Sequence, residues 1–145
     1  MNSFLIKNID EWNVFAAQLV TRLQPSMIVT LSGSLGVGKT TLVQAVARAL
    51  GVKVNPRSPT FSLMRTYRTS DGSSIKRVLH VDAYRLEKSS DVLALDMDEE
   101  LSEPGTVLFI EWPENLQVWM KKQTGPRLQI TISIREDGAR EVTMS

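Results

Sequence analysis

The sequence predicts an α/β fold of three layers, a mixed and partly parallel central sheet between helices, with a C-terminal β-hairpin. Three observations carry this. Helix-spaced apolar segments alternate along the chain with short β-favouring runs. One such run leads directly into a cluster of glycines followed by an Ala-, Leu- and Val-rich segment. Near the C-terminus, apolar and polar residues alternate on both sides of an Asp-Gly turn. A chain of 145 residues lies near the commonest domain size, and no repeat, low-complexity tract or linker divides it. One domain over 1–145 is expected.

Trp12, Phe15, Ala16, Leu19, Val20 and Leu23 recur at helical spacing, with Asn8 or Asp10 as cap and Pro25 as the stop. Met27 to Leu31 reads as a strand, and Thr41 to Leu50 as a helix ended by Gly51. Phe61–Arg68 and Ile75–Asp82 are β-rich, and the turn residues from Ser70 to Ser73 join them as a hairpin. Tyr84 to Leu101 is acidic and partly helical, closed by Pro104 and Gly105. Thr106–Glu111 is a continuous apolar strand ended by an acid, and Pro113 opens a helix reaching about Lys121. Leu128, Ile130, Ile132 and Ile134 form one alternating strand, which Asp137-Gly138 turns back through Val142 and Met144.

Composition narrows the function classes. Hydrophobic residues make up 42% and charged residues 23%, ordinary values for a globular protein. Seventeen Lys and Arg against sixteen Asp and Glu leave a net charge of +1, so bulk charge argues for neither a nucleic-acid coat nor a membrane surface. Neither a DNA partner nor a membrane is expected. The absence of cysteine excludes disulfides, thiolate metal sites and Cys nucleophiles. The N-terminal stretch has neither a long apolar core nor a small-residue cleavage pattern, and no apolar run is long enough for a membrane span. A cytoplasmic, soluble protein is the expectation.

Gly33 to Thr40 reads G-S-L-G-V-G-K-T and fits the phosphate-loop template G-x-x-x-x-G-K-[ST], in the required frame of strand, loop and helix. The fold expected is therefore P-loop NTPase-like. Gly33, Gly36 and Gly38 free the backbone to take positive φ and to bring its N–H groups close to phosphate oxygens. Leu35 and Val37 join them in the cofactor-binding set. The helix beginning near Lys39 adds its N-terminal donors. Lys39 is expected to bridge the β- and γ-phosphates of a nucleotide, the Thr40 hydroxyl to ligate Mg²⁺, and Thr41 to bond a neighbouring phosphate oxygen.

A phosphate loop alone hydrolyses nothing, because Mg²⁺ needs oxygen ligands and an attacking water needs an orienting group. Asp82 and Glu111 each end an apolar strand. The carboxyl ends of parallel strands face the ligand crevice in an open α/β sheet, which brings Glu111 out beside Thr40. Whether Glu111 orients water or only holds Mg²⁺ stays open. Thr60, just before the hairpin, offers a hydroxyl on a candidate nucleotide-sensing loop, its alternative being a plain turn. Trp112 either packs against the nucleotide site or fills the core. His80, the only histidine, reads as structural, Arg85 and Lys88 as solvated charges, and the Asn8–Trp12 region as a wall for the base.

Taken in order, G-S-L-G-V-G-K-T-T, S-P-T-F at Ser58–Phe61, H-V-D-A-Y-R-L at His80–Leu86 and I-E-W-P-E at Ile110–Glu114 resemble the TsaE (YjeE) family over roughly residues 5–120. That family is the small bacterial ATPase of tRNA threonylcarbamoyladenosine biosynthesis. The resemblance implies an ATPase, weak alone, that uses ATP and Mg²⁺ and binds the TsaB–TsaD complex, which modifies the adenosine beside the anticodon of tRNAs reading ANN codons. Contact with tRNA itself is expected to be indirect. The resemblance also implies that Thr40, Asp82 and Glu111 gather around Mg²⁺ and the γ-phosphate, giving Lys39, Asp82 and Glu111 as the catalytic set, and that Thr60 lies on a switch. One departure is visible: Ser34 stands where the family commonly has Asp.

Two other classes use the same loop. A small-molecule kinase needs an acceptor pocket and usually an Arg-bearing lid, for which 145 residues leave little room. A GTPase switch needs an N-K-x-D guanine-reading segment, which the sequence lacks. The small-molecule kinase and a docking scaffold that binds ATP without hydrolysis remain the alternatives.

Overall fold

The computed structural model describes residues 2–52, 64–70, 72–84 and 91–145, and of residues 91–95 only the backbone. The strands are β1 (Asn2–Ile6), β2 (Ile28–Ser32), β3 (Met64–Arg68), β4 (Arg77–Asp82), β5 (Thr106–Glu111), β6 (Arg127–Ile134) and β7 (Arg140–Met144). They form a sheet in the order β1-β7-β6-β2-β5-β4-β3. The central pairs β6–β2, β2–β5 and β5–β4 are parallel, while β1–β7, β7–β6 and β4–β3 are antiparallel. The mixed sheet, the β3–β4 hairpin and the C-terminal β6–β7 hairpin all agree with the sequence reading.

The helices are α1 (Ile9–Val20), α2 (Lys39–Ala49), α3 (Asp91–Ser102) and α4 (Gln117–Lys121), the last preceded by a 3₁₀ turn over Pro113–Leu116. Residue alternation along the strands decides which helices cover which face. On β5, Val107 and Phe109 join the core beneath α1 and α2, while Leu108 and Ile110 join Met97 of α3 and Trp119 of α4 on the other side. Both faces of β5 and of neighbouring β4 are therefore buried, as a continuous apolar run in a parallel sheet requires. On β6, Leu128, Ile130 and Ile132 pack toward α1 and α2, while Gln129, Thr131 and Ser133 are exposed on the opposite face.

Two local details differ from the sequence expectation, β1 and the turn after β5, while the starts of α1 and α2 agree with it. β1 is an added edge strand, paired from Asn2↔Met144 to Ile6↔Arg140. Ile6 is buried and Phe4 half-buried against Phe15, while Asn2, Ser3 and Leu5 are exposed, so this short edge strand leans on its pairing with β7. Helix α1 starts at the first of its two candidate caps, since the Asn8 side chain accepts from the Glu11 amide at 2.9 Å. Helix α2 begins at Lys39, as the phosphate-loop reading expects. The helix expected from Pro113 begins as a 3₁₀ turn, because the chain leaves β5 through Trp112 in a left-handed conformation, φ 61° and ψ 54°. The segment from Ser58 to Phe61, with Thr60, and Arg85 and Lys88 lie outside the described residues.

Among the described residues no helix is long and apolar enough to cross a membrane. The centre of the sheet dominates stability. Phe109 is fully buried on β5, so Phe109→Ala is expected to cost about 3–5 kcal/mol in denaturant unfolding. Thr131→Ala, on the exposed face of β6, should stay within about 0.5 kcal/mol.

Candidate functional site

The carboxyl ends of β2, β5 and β4 meet the start of α2 on one side of the sheet. β2 runs into the glycine loop, which is fixed by contacts on two sides. Gly33 has φ 151°, and a Cβ placed there would run into the carbonyl oxygen of Ile132. Gly38 has φ 121°, and a Cβ there would lie 2.7 Å from the Trp12 ring. Neither position tolerates a side chain. Gly38 is also the N-cap of α2 and makes no side-chain cap bond, so no cap occupies the donors of the first helical turn.

A cavity of about 460 Å³ opens above the loop. Leu35, Gly36, Val37, Gly38, Lys39, Thr40 and Thr41 line it from the loop and helix, and Asp82, Glu111 and Trp112 from the ends of β4 and β5. Gly33 does not line it. Its carbonyl accepts from Lys39 Nζ at 2.5 Å, with Ser34 O at 3.4 Å from the same ammonium. The ammonium also sits 3.6 Å from the centroid of the Trp112 ring. Trp112 thereby lies against the site and, with its other surroundings, against the core that includes Trp119. Tyr84 packs on it, ring centroids 4.9 Å apart.

Glu111 is 3% exposed. Its Oε2 accepts from the Thr40 hydroxyl at 2.8 Å and lies 2.6 Å from His80 Nε2. Strand register explains the convergence: Asp82 pairs with Glu111 and His80 with Phe109, so all four point to the face where α2 begins. Asp82 Oδ1 accepts from the Tyr84 amide at 3.0 Å.

Electrostatics follow from burial. Loss of water around Lys39 lowers its pKa, against the opposing pull of Glu111, then Asp82 and Glu114. Burial raises the pKa of Asp82, and Glu111 adds to the rise, while the Tyr84 amide, His80 and Lys39 act the other way. The site thus holds an ammonium short of anionic ligands and a carboxylate short of cationic ones. Among the described residues no three or more His, Asp or Glu side chains form a metal cluster. A hydroxyl and two carboxylates beside a glycine loop would fit a hard cation such as Mg²⁺ that takes its remaining ligands from water or an anion.

The other end of the cavity is lined by Ile6, Asn8, Ile9, Trp12, Gly138 and Arg140. The sequence reading included Asn8–Trp12 as a wall. Ile6 and Arg140 were not expected, and no local signal marks them: they are brought together by β1–β7 pairing, Ile6 opposite Arg140. Arg140 Nε donates to Val37 O at 2.9 Å, tying the C-terminal hairpin to the glycine loop.

The raised pKa of Asp82 has a sign. Between the unfolded and the higher folded pKa the native state binds more protons, so stability falls as pH rises through that window. Asp82→Asn removes this cost. In the protein free of nucleotide and metal, the variant is expected to be more stable than wild type at pH 7, the difference shrinking below about pH 4. Chemical denaturation at the two pH values checks this. A variant less stable at pH 7 would contradict the electrostatic reading of the site.

Comparison with known proteins agrees with this architecture. The family described as "Threonylcarbamoyl adenosine biosynthesis protein TsaE" matches residues 6–142. The tRNA threonylcarbamoyladenosine biosynthesis protein TsaE of Bacillus subtilis is 33% identical over 138 residues, 95% of this chain and 81% of the relative. The protein of the same name from Streptomyces coelicolor is 38% identical over 117 residues, 79% of this chain and 74% of its own. The crystal structure of Bacillus subtilis YdiB superposes with a TM-score of 0.74 at 28% identity, over 99% of this chain and 83% of that one. With a family match across nearly all of its length and its strands, loop and acids in one site, the chain belongs to the TsaE family of tRNA threonylcarbamoyladenosine biosynthesis proteins.

Proposed function

We propose that this protein is a Mg²⁺-dependent ATPase that binds the TsaB–TsaD complex and supports threonylcarbamoylation of the adenosine beside the anticodon in tRNAs reading ANN codons. The observation that carries the ATPase reading is the Thr40–Glu111 hydrogen bond, 2.8 Å, directly under the glycine loop. It joins the loop's hydroxyl to a buried strand-end acid, the pairing that couples phosphate binding to a cation or water. Family membership supports the tRNA pathway, and the partner assignment follows from the family resemblance.

The chain's own groups have definable tasks. Backbone N–H groups of the loop and of the α2 N-terminus receive the phosphates of ATP. Lys39 exchanges its carbonyl partners, Gly33 O and Ser34 O, for phosphate oxygens, and the negative charge restores what burial removes. Thr40, Asp82 and Glu111 are the groups that would hold Mg²⁺, which when bound neutralises charge on the phosphate oxygens. Thr41 lines the cavity as a further phosphate donor, and Trp112 packs the Lys39 side of the site. Glu111, or Asp82 opposite it, accepts a proton from an attacking water. In-line attack on the γ-phosphorus then breaks its bond to the bridging oxygen and yields ADP and phosphate. Thr60 is assigned to a nucleotide-sensing loop on its place before the hairpin and, as a switch, on the resemblance.

Two substitutions separate binding from chemistry. Lys39→Ala is expected to weaken ATP binding, measured by calorimetry, by roughly 1.5–3 kcal/mol, the range for a hydrogen bond to a charged group. Glu111→Ala should bind ATP nearly as wild type does and lose partner-stimulated hydrolysis. An unchanged stimulated rate in Glu111→Ala would take that residue out of the reaction.

A further inference from the structure

His80 is 1% exposed in the middle of β4, between the apolar residues Leu79 and Val81. An imidazole there needs a polar partner, since an unpaired buried ring nitrogen is costly. The partner is Oε2 of Glu111, at 2.6 Å. The same oxygen accepts from Thr40 at 2.8 Å. A carboxylate oxygen has two lone-pair sites, and both on Oε2 are thereby taken.

We propose that His80 is a positioning residue for Glu111: its Nε2–H holds Oε2, so that the carboxylate has one committed oxygen and presents the other, Oε1, to water or cation. The inference rests on the ATPase reading for its consequence, though not for the contact itself. The geometry favours positioning over direct action. His80 is not among the residues lining the cavity, whereas Glu111 and Thr40 are. The H-x-D spacing puts His80 and Asp82 on one face of β4, and the β4–β5 register sets His80 opposite Phe109, one step below Glu111 on the same face. His80 is thus placed below the carboxylate while Thr40 bonds the same oxygen from α2. Without His80 a single donor among the described residues, Thr40 of α2, holds Oε2, and the carboxylate is free to rotate about its last torsion, which is broad for Glu.

Two variants test this. His80→Gln keeps an N–H donor, and His80→Leu keeps the volume but removes the donor. Loss of an outer-shell partner of a functional ligand typically costs about 10–100-fold. His80→Leu is expected to lower kcat for ATP hydrolysis with TsaB and TsaD by about that factor, while its affinity for ATP without Mg²⁺ changes less than about 2-fold and its fold persists by circular dichroism. His80→Gln should recover a substantial part of kcat. Wild-type kcat in a folded His80→Leu, or equal losses in both variants, would overturn the proposal.

A second readout is independent of turnover. In proton–nitrogen NMR of the ring, the wild-type Nε2–H should give an exchange-protected resonance that is lost in Glu111→Ala. Its absence from the wild type, or its persistence unshifted in Glu111→Ala, would overturn the proposal. A wild type that shows this resonance yet never hydrolyses ATP would refute the ATPase reading instead.

Discussion

One buried oxygen, Oε2 of Glu111, ties together three parts of the molecule. It ends β5, accepts from Thr40 at the start of α2, and is met by His80 from β4. A carboxylate 3% exposed is costly unless its lone pairs are satisfied, and removing a partner from a buried charge typically costs about 3–5 kcal/mol. The sheet register and the helix start are therefore not independent. If β4 slipped by one residue against β5, His80 would turn to the opposite face and Glu111 would lose that donor. The mixed sheet serves here to place acids from two adjacent parallel strands beneath one loop.

Local strain and internal hydrogen bonds hold the site. Trp112, directly after Glu111, adopts a left-handed conformation that few residues other than glycine take, and it stands before Pro113. In that conformation its ring meets Lys39 on one side and Tyr84 on the other. Lys39 meanwhile spends its protons on two loop carbonyls. These contacts satisfy a buried ammonium, yet phosphate oxygens offer it stronger, charge-assisted bonds. Asp82 is the reverse case, a carboxylate whose ionised form burial disfavours and which a cation would relieve.

Much of this was legible in the sequence because it is local. Glycine spacing before Lys39 and Thr40 dictates a backbone that only glycine can follow, and the structure shows the two reasons at Gly33 and Gly38. Apolar runs closed by Asp82 and Glu111 marked two strands with acids at their ends, and β4 and β5 lie there, buried on both faces. What could not be read depends on pairing between distant segments. β1 has one buried residue in five and gains its identity from β7, more than a hundred residues away. Arg140 reaches the loop for the same reason. His80 read as structural because the sequence shows its face of β4 but not the neighbour in register. Thr60 falls outside the described residues, so its place on a switch rests on the resemblance.

The central claim is that these groups form a hydrolytic site completed by protein partners. Its most direct test is the ATP hydrolysis rate of the wild-type chain with Mg²⁺, alone and then with purified TsaB and TsaD from the same source. A slow rate that rises severalfold only when both are present is the predicted result. Tight ATP binding with no hydrolysis above background in any combination would contradict it, leaving a docking protein that uses ATP as a ligand.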